Sequence, residues 1–314
     1  MGQLVNGQWV EAPERGHDEQ GFDDWITADG TSEYPATNDR FHLYISRACP
    51  WAHRAALTRR LLGLTDKISL DIVDPVRHDD GWEFTPSKNN CTSDSIHGFD
   101  YLREVYTHAD PDYTGRVTVP VLYDTHRETI VNNESADIAR MLATAFDGAV
   151  PDAPNLYPVS KRDEIDSIIE SIHTNINLGV YKAGFADSQS EYEEAVTTLF
   201  EALEQWDEVL GERRFLVGDS LTLADVFFFP TLYRFDAVYH THFKCNIRRL
   251  VEFEHLWDYA RDIYQHSGVA ETCNMGHVKA HYYQSHKDLN PTGFVPVGPE
   301  SEWSDSHHRD QLTN

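Results

Sequence analysis

The run Arg47-Ala48-Cys49-Pro50-Trp51-Ala52-His53-Arg54 follows a short alternating segment, Phe41 to Ser46, that reads as a strand, and it opens a helical segment reaching about Leu62. Cys49 falls at the cap of that helix and Pro50 at its first position, where a missing N–H costs nothing. The unpaired amides of the first turn face the cysteine sulfur and favour its thiolate, so its expected pKa lies below the roughly 8.5 of a free cysteine. A strand, a Cys-Pro turn and a helix in this order confine the segment to an α/β layer built to mount a reactive thiol. A dithiol site would carry its second cysteine three positions later, where this chain has Ala52. The resolving thiol is therefore expected from outside, most simply from a small thiol such as glutathione.

The rest of the layer can be followed along the chain. Lys67 to Val73 reads as a second strand, and the long segment from Asp74 to Pro111 breaks the pattern with Gly, Pro and Asn while carrying Trp82, Phe84, Phe99, Tyr101 and Tyr106. A connection of that length is functional or disordered, and its aromatics favour a functional or packed one. Gly115 to Tyr123 reads as a strand with Pro120 in its interior, and proline is excluded from strand interiors, so Pro120 is read as a strand-start cis-proline. In thioredoxin-like sites such a proline faces the cysteine, and the neighbouring backbone pairs with a peptide-like thiol. Thr129 to Val131 follows, then a helix opening near Glu134-Ser135, where a carboxylate and a hydroxyl could hold the amino and carboxylate groups of a γ-glutamyl moiety.

The expected organisation is an irregular arm over residues 1–40, a thioredoxin-like domain over 41–147, a proline-containing linker over 148–160, an all-helical domain over 161–285 and an irregular tail over 286–314. The helical expectation rests on apolar spacing, for instance Ile165, Ile168, Ile169 and Ile172, and Val196, Leu199, Phe200 and Leu203. Within it, Thr222 and Asp225 form a capping box, with Leu221 placed to staple onto Val226. The sheet layer and the helical domain together give the expected class, α/β plus all-α.

Charge narrows the partners. The 52 acidic against 26 basic residues give a net charge of −26, and seven of the basic residues are lysines. Nucleic acid and anionic membrane would both repel such a surface. Acidity spread over the whole chain fits a salt-rich cytoplasm, where counterions screen the self-repulsion. Cys49, Cys91, Cys245 and Cys273 show no paired spacing, which suggests a reducing compartment. With no apolar run of membrane length and no basic-then-apolar leader at the amino terminus, the expected location is the cytoplasm. Cys273, His277 and His281 share a helical spacing but lack an evident fourth ligand, so no metal is expected.

Cys49-Pro50-Trp51-Ala52-His53-Arg54 resembles the Cys-Pro-Trp-Ala signature of the glutathionyl-hydroquinone reductases, the Xi-class glutathione transferases. Further matches run in order: Gly81-Trp82, Gly115 to Leu122, Val131 to Ser135, Gly179 to Phe185, and His281-Tyr282-Tyr283 through Gly293. The capping box at Thr222 also resembles the folding signature of glutathione transferase helical domains. The resemblance implies a thioredoxin-like domain with an all-helical glutathione-transferase domain, and a Cys49 thiolate that attacks the sulfur of a glutathionyl-hydroquinone. It further implies that Tyr181 exchanges a proton with the quinone, that Tyr239 and Tyr282 hydrogen-bond near the sulfur, and that the protein is a homodimer. Trp82, the segment Arg116-Val117-Thr118-Val119-Pro120, Glu134 and Ser135 would hold glutathione. Glutathione, or the related γ-glutamylcysteine, is thus the expected co-substrate, with no tightly bound cofactor. Two rivals remain at this level: an omega-like transferase acting on mixed disulfides or dehydroascorbate, which needs Cys49 but not Tyr181, and a non-catalytic scaffold of the same fold, which needs neither.

Overall fold

The computed structural model describes residues 2–11 and 21–312, so parts of the expected arm and tail, residues 1, 12–20 and 313–314, lie outside the described residues. The chain forms two compact units, Met1–Ala153 and Pro154–Asn314.

The first unit departs from the sequence expectation at its start. In place of an irregular arm, β1 (Gln3–Val5) and β2 (Gln8–Val10) form an antiparallel hairpin, and β3 (Ile26–Thr27) pairs with β4 (Tyr34–Pro35). The hairpin turn is Asn6-Gly7, both at positive φ, the pairing that two-residue turns select because it matches strand twist. Leu4 exchanges backbone hydrogen bonds with Gly115 and ties the hairpin to the unit.

The main sheet has the order β6-β5-β7-β8, with β5 at Phe41–Ile45, β6 at Ile68–Ile72, β7 at Val121–Asp124 and β8 at Thr129–Asn132. β5 pairs parallel with β6 and antiparallel with β7, and β7 with β8 forms a hairpin. α1 (Pro50–Leu61) joins β5 towards β6 and packs against α3 (Ser135–Ala145). β5 is buried along its whole length, as expected of an interior strand. The strand expected over 115–123 starts only at Val121, because Pro120 cannot donate to the ladder and follows a cis peptide bond.

The long segment after β6 is packed, and it contains a helix not anticipated from the sequence, α2 (Leu102–Ala109). Two buried carboxylates hold the loop before it. Asp71 on β6 accepts from the Ser95 amide and hydroxyl at 2.6 and 2.7 Å and from the Thr92 hydroxyl at 3.0 Å. Asp94 accepts from the amides of Ile96 and Phe99 and from the Tyr44 hydroxyl. Burial alone would raise the Asp71 pKa, but hydrogen bonds from His42 and Ser95 outweigh it and hold the carboxyl below its usual value. A depressed folded-state pKa gives stability that is present above the unfolded value of about 4 and is lost as pH falls through the folded one. Asp71→Asn is therefore expected to cost about 1–3 kcal/mol at neutral pH and to flatten the acid limb of stability. Urea melts at pH 7 and pH 3 check this, and an unchanged acid limb would contradict it.

The second unit is helical: α4 (Arg162–Ile172), α5 (Gly179–Gly184), α6 (Gln189–Glu212), α7 (Leu223–Arg234), α8 (Glu254–Gln265) and α9 (Met275–Ser285). Ile165, Ile169 and Ile172 of α4 and Val196, Leu199, Phe200 and Leu203 of α6 are buried, while Ile168 is half-buried. The tail has little regular structure beyond a 3-10 turn at Arg309–Leu312, yet it is docked. Trp303 lies against Trp257 and Tyr233, and the buried Arg309 guanidinium donates to the carbonyls of Leu210, Arg213 and Arg214 at the end of α6. Those carbonyls include the orphan acceptors of a helix C-terminus, which a cation stabilises. Among the described residues, no helix is long and apolar enough to cross a membrane.

Candidate active site

Two clusters, one in each unit, hold the candidate residues. In the first unit Cys49 is the N-cap of α1, in extended conformation (φ −73°, ψ 124°), with Pro50 at the first helical position. The Ala52 amide points at the Cys49 Sγ at 3.5 Å, and the thiol lies 3.6 Å from the Val119 carbonyl, which immediately precedes the cis peptide bond to Pro120. An N–H aimed at the sulfur from a helix N-terminus favours the charged form. Only 8% of Cys49 is exposed, so the sulfur meets a reactant along a restricted approach.

The other first-unit residues divide by what their backbones are doing. The Thr118 amide and carbonyl both bond the Tyr106 hydroxyl, at 3.3 and 3.0 Å. Thr118 therefore also anchors the loop from within, through the Tyr106 hydroxyl. Arg116 uses its carbonyl to accept from Tyr113 and leaves its side chain exposed. Val117 and Val119 are buried. Glu134 is the N-cap of α3, fixed by its amide bonding the Asn132 side chain at 2.7 Å, and Ser135 follows at the first helical position. Desolvation and the neighbouring Asp137 raise the Glu134 pKa, and the positive charge of Arg116 opposes them.

Trp82 is buried, and its carbonyl accepts from the Leu102 amide at the start of α2. Over its ring, 5.7 Å from the centroid, lies Arg77, which the sequence reading did not single out. Desolvation lowers the Arg77 pKa, and the charge on Cys49 opposes that shift, so the guanidinium and the sulfur lie within electrostatic reach. No motif marks Arg77; only the fold of the segment after β6 brings it there.

In the second unit the three candidate tyrosines meet. The Tyr282 hydroxyl lies 2.5 Å from that of Tyr181 and 3.0 Å from that of Tyr239, so it is the middle member of a hydrogen-bonded chain. Tyr239 and Tyr282 are fully buried and Tyr181 is partly exposed. Burial and the two neighbouring phenols push Tyr282 well above its usual pKa, against the charge of Arg234, so the middle hydroxyl of the chain is protonated over the ordinary pH range. Two π-helical turns place these side chains: His173–Asn177 leads into α5 and Tyr181, and Phe235–Tyr239 ends on Tyr239. Such turns re-aim side chains and recur at functional sites. Around the trio stand Phe243, His286 and the half-exposed Phe185, an aromatic wall suited to a flat apolar ring. Among the described residues, no group of three or more His, Cys, Asp or Glu is placed to hold a metal ion.

Comparison with known proteins adds three findings. The family models described as the N-terminal and C-terminal domains of glutathione S-transferase match residues 48–145 and 189–262. Glutathionyl-hydroquinone reductase YqjG of Escherichia coli is 45% identical over 324 residues, covering 99% of each chain, and PcpF of Sphingobium chlorophenolicum, of the same name, is 50% identical over 83% of each. Among solved structures, a Xi-class enzyme from Natrialba magadii aligns with a TM-score of 0.96 at 50% identity, covering 100% of this chain and 98% of its own. The glutathione-bound structure of YqjG aligns with a TM-score of 0.92, covering 98% and 99%.

Proposed function

Because the chain belongs to the glutathione S-transferases, and within them to the Xi-class glutathionyl-hydroquinone reductases, we propose that it frees hydroquinones from their glutathionyl adducts through a mixed disulfide at Cys49. The observation that carries this reading is the Cys49 sulfur, set at the N-cap of α1 beneath the Ala52 amide and beside the Val119 carbonyl ahead of cis-Pro120.

The Cys49 thiolate attacks the sulfur of the adduct. The S–S bond forms as the bond between sulfur and the ring carbon breaks, and the carbon takes a proton as the hydroquinone leaves. A second thiolate then attacks the mixed disulfide, releasing glutathione disulfide and restoring Cys49. In this reading the ring carbon takes its proton from Tyr181, and Tyr282 and Tyr239 replenish it along their hydrogen-bonded chain. Tyr239 and Tyr282 are also the residues expected to hydrogen-bond near the sulfur, a role that their contacts within the trio leave open to them. The γ-glutamyl end of the thiol is held by Glu134 and Ser135, and its peptide backbone by Val119. Arg77 on Trp82 adds positive charge near the reacting sulfur.

The acidic, lysine-poor composition supports a salt-rich cytoplasm as the working medium, and the family resemblance supports a homodimer as the working form. In such a medium γ-glutamylcysteine is an alternative resolving thiol, because Glu134 and Ser135 address a group that both thiols carry. The test is hydroquinone release from a glutathionyl-quinone adduct in high salt, with glutathione and γ-glutamylcysteine compared as resolving thiols. Release with either supports the reading, and no release with both would overturn it.

Tyr181→Phe separates the proposal from an omega-like activity. It is expected to lower hydroquinone release about a hundredfold, the low end for loss of a general acid because two hydroxyls remain, while mixed-disulfide reduction stays unchanged. Equal loss in both assays would remove the proton-donor role.

A further inference from the structure

A cavity that shares no lining residue with the tyrosine cluster lies wholly within the helical unit. It has a volume of about 550 Å³, within the range of small-molecule sites. Its wall is made by Asn155 and Pro158 of the linker, Lys161 just ahead of α4, the loop from Arg214 to Thr222 between α6 and α7, and His266 at the end of α8.

Its charge runs against the rest of the molecule. The chain carries twice as many Asp and Glu as Lys and Arg, yet this lining holds Lys161 and Arg214 against a single acid, Asp219. The two full cations differ in what they do. Arg214 is neutralised, donating to both oxygens of Asp262 at 2.9 Å and to Asp310. Lys161 is half-buried and has no carboxylate within 4.0 Å among the described residues; its ammonium contacts the Val217 carbonyl at 3.4 Å, the long limit of a hydrogen bond. The head group is also located by the backbone. Gly218 has φ +75°, and a Cβ there would lie 3.1 Å from the Lys161 Nζ, so the loop passes close over the ammonium at a residue whose conformation favours glycine.

Apart from Asp219, the cavity wall offers Lys161 the company of groups able to donate. Asn155 spends its side-chain carbonyl on the Tyr157 amide at 3.2 Å, which leaves its NH₂ group to donate. Ser220 and His266 contribute a hydroxyl and a ring nitrogen to the same wall. Thr222, by contrast, is committed to Asp225. A half-sheltered ammonium sharing a cavity wall with amide and hydroxyl donors is complementary to an oxyanion, and a compact lysine charge suits phosphate in particular.

We infer that this cavity is a binding site for a small metabolite bearing a phosphate or carboxylate group, with Lys161 as its counter-charge. Because its lining includes none of Tyr181, Tyr239 and Tyr282, it is a site apart from theirs, and the inference does not depend on the reductase reading.

The experiment uses the full-length protein at constant high potassium chloride, with inorganic phosphate as the probe followed by its ³¹P line width and succinate as the competitor. Saturable broadening with an affinity in the range of about 1–10 mM is expected from the wild type. Lys161→Gln, a substitution at a half-exposed position, is expected to weaken it about tenfold or more, and Lys161→Arg to restore most of it. Displacement by succinate supports a site open to carboxylates, and failure of succinate to displace supports one confined to phosphate. Equal broadening by Lys161→Gln, or no saturable broadening by the wild type, would overturn the inference. Far-ultraviolet circular dichroism of both variants confirms that the comparison is between folded proteins.

Discussion

Cys49→Ser is expected to abolish hydroquinone release, with a loss of at least about a thousandfold, because a serine hydroxyl at neutral pH is neither ionised nor able to form the disulfide on which turnover depends. The substitution is nearly isosteric at a residue that is 8% exposed, so the fold is expected to persist with melting close to the wild type. The same site gives a second readout. With the Ala52 amide aimed at the sulfur and the Arg77 charge within reach, alkylation of Cys49 by iodoacetamide near pH 6 is expected to outpace that of a free thiol. Arg77→Gln should slow that alkylation while leaving the helix cap intact. The four cysteines differ in environment, and Cys245, which burial pushes up to about 12, should stay inert under the same conditions. Peptide mapping of the alkylated protein distinguishes them. A Cys49 no faster than a free thiol would remove the activated nucleophile and favour a scaffold of the same fold. Fast alkylation without hydroquinone release would move the assignment to the omega-like rival.

What could be read from the chain was what lies close together in it. The Cys49-Pro50 cap, the Glu134-Ser135 helix start and the Thr222–Asp225 capping box each fit within a few residues, and each stands where the local pattern puts it. The Asn6-Gly7 turn is equally local, but two three-residue strands look irregular in the sequence, and it is the bonding of Leu4 to Gly115 that ties them into the unit. α2 escaped notice because eight residues make too short a periodic run, and its start is marked by Tyr101 and Glu104 rather than by a usual capping residue. The anchoring of the loop before it depends on Asp71 and Asp94 reaching residues that no sequence pattern links to them. The tyrosine trio lies furthest from legibility. Positions 181, 239 and 282 have no periodic relation, so family resemblance named them, and only the fold explains why Tyr282 is the middle one.

The largest stability effect is expected at Asp225. This fully buried carboxylate accepts from the Leu216 amide and the Tyr259 hydroxyl through one oxygen, and from the Thr222 amide and hydroxyl through the other. It thereby joins the loop after α6, the start of α7 and the middle of α8. Desolvation raises its pKa despite those four donors, so burying the charge is costly. Removal is a different matter, because it strands the donors in a water-free interior. Asp225→Ala is expected to cost about 3–5 kcal/mol, and Asp225→Asn nearly as much, since its amide would set an N–H against groups that are themselves donors. Tyr259→Phe deletes one donor and leaves the carboxylate three, so its cost should be nearer about 1 kcal/mol. Urea melts of the three variants at one salt concentration give the ranking directly. A cost for Asp225→Ala no greater than that of Tyr259→Phe would mean that apolar packing, rather than this carboxylate, holds the loop to α7 and α8.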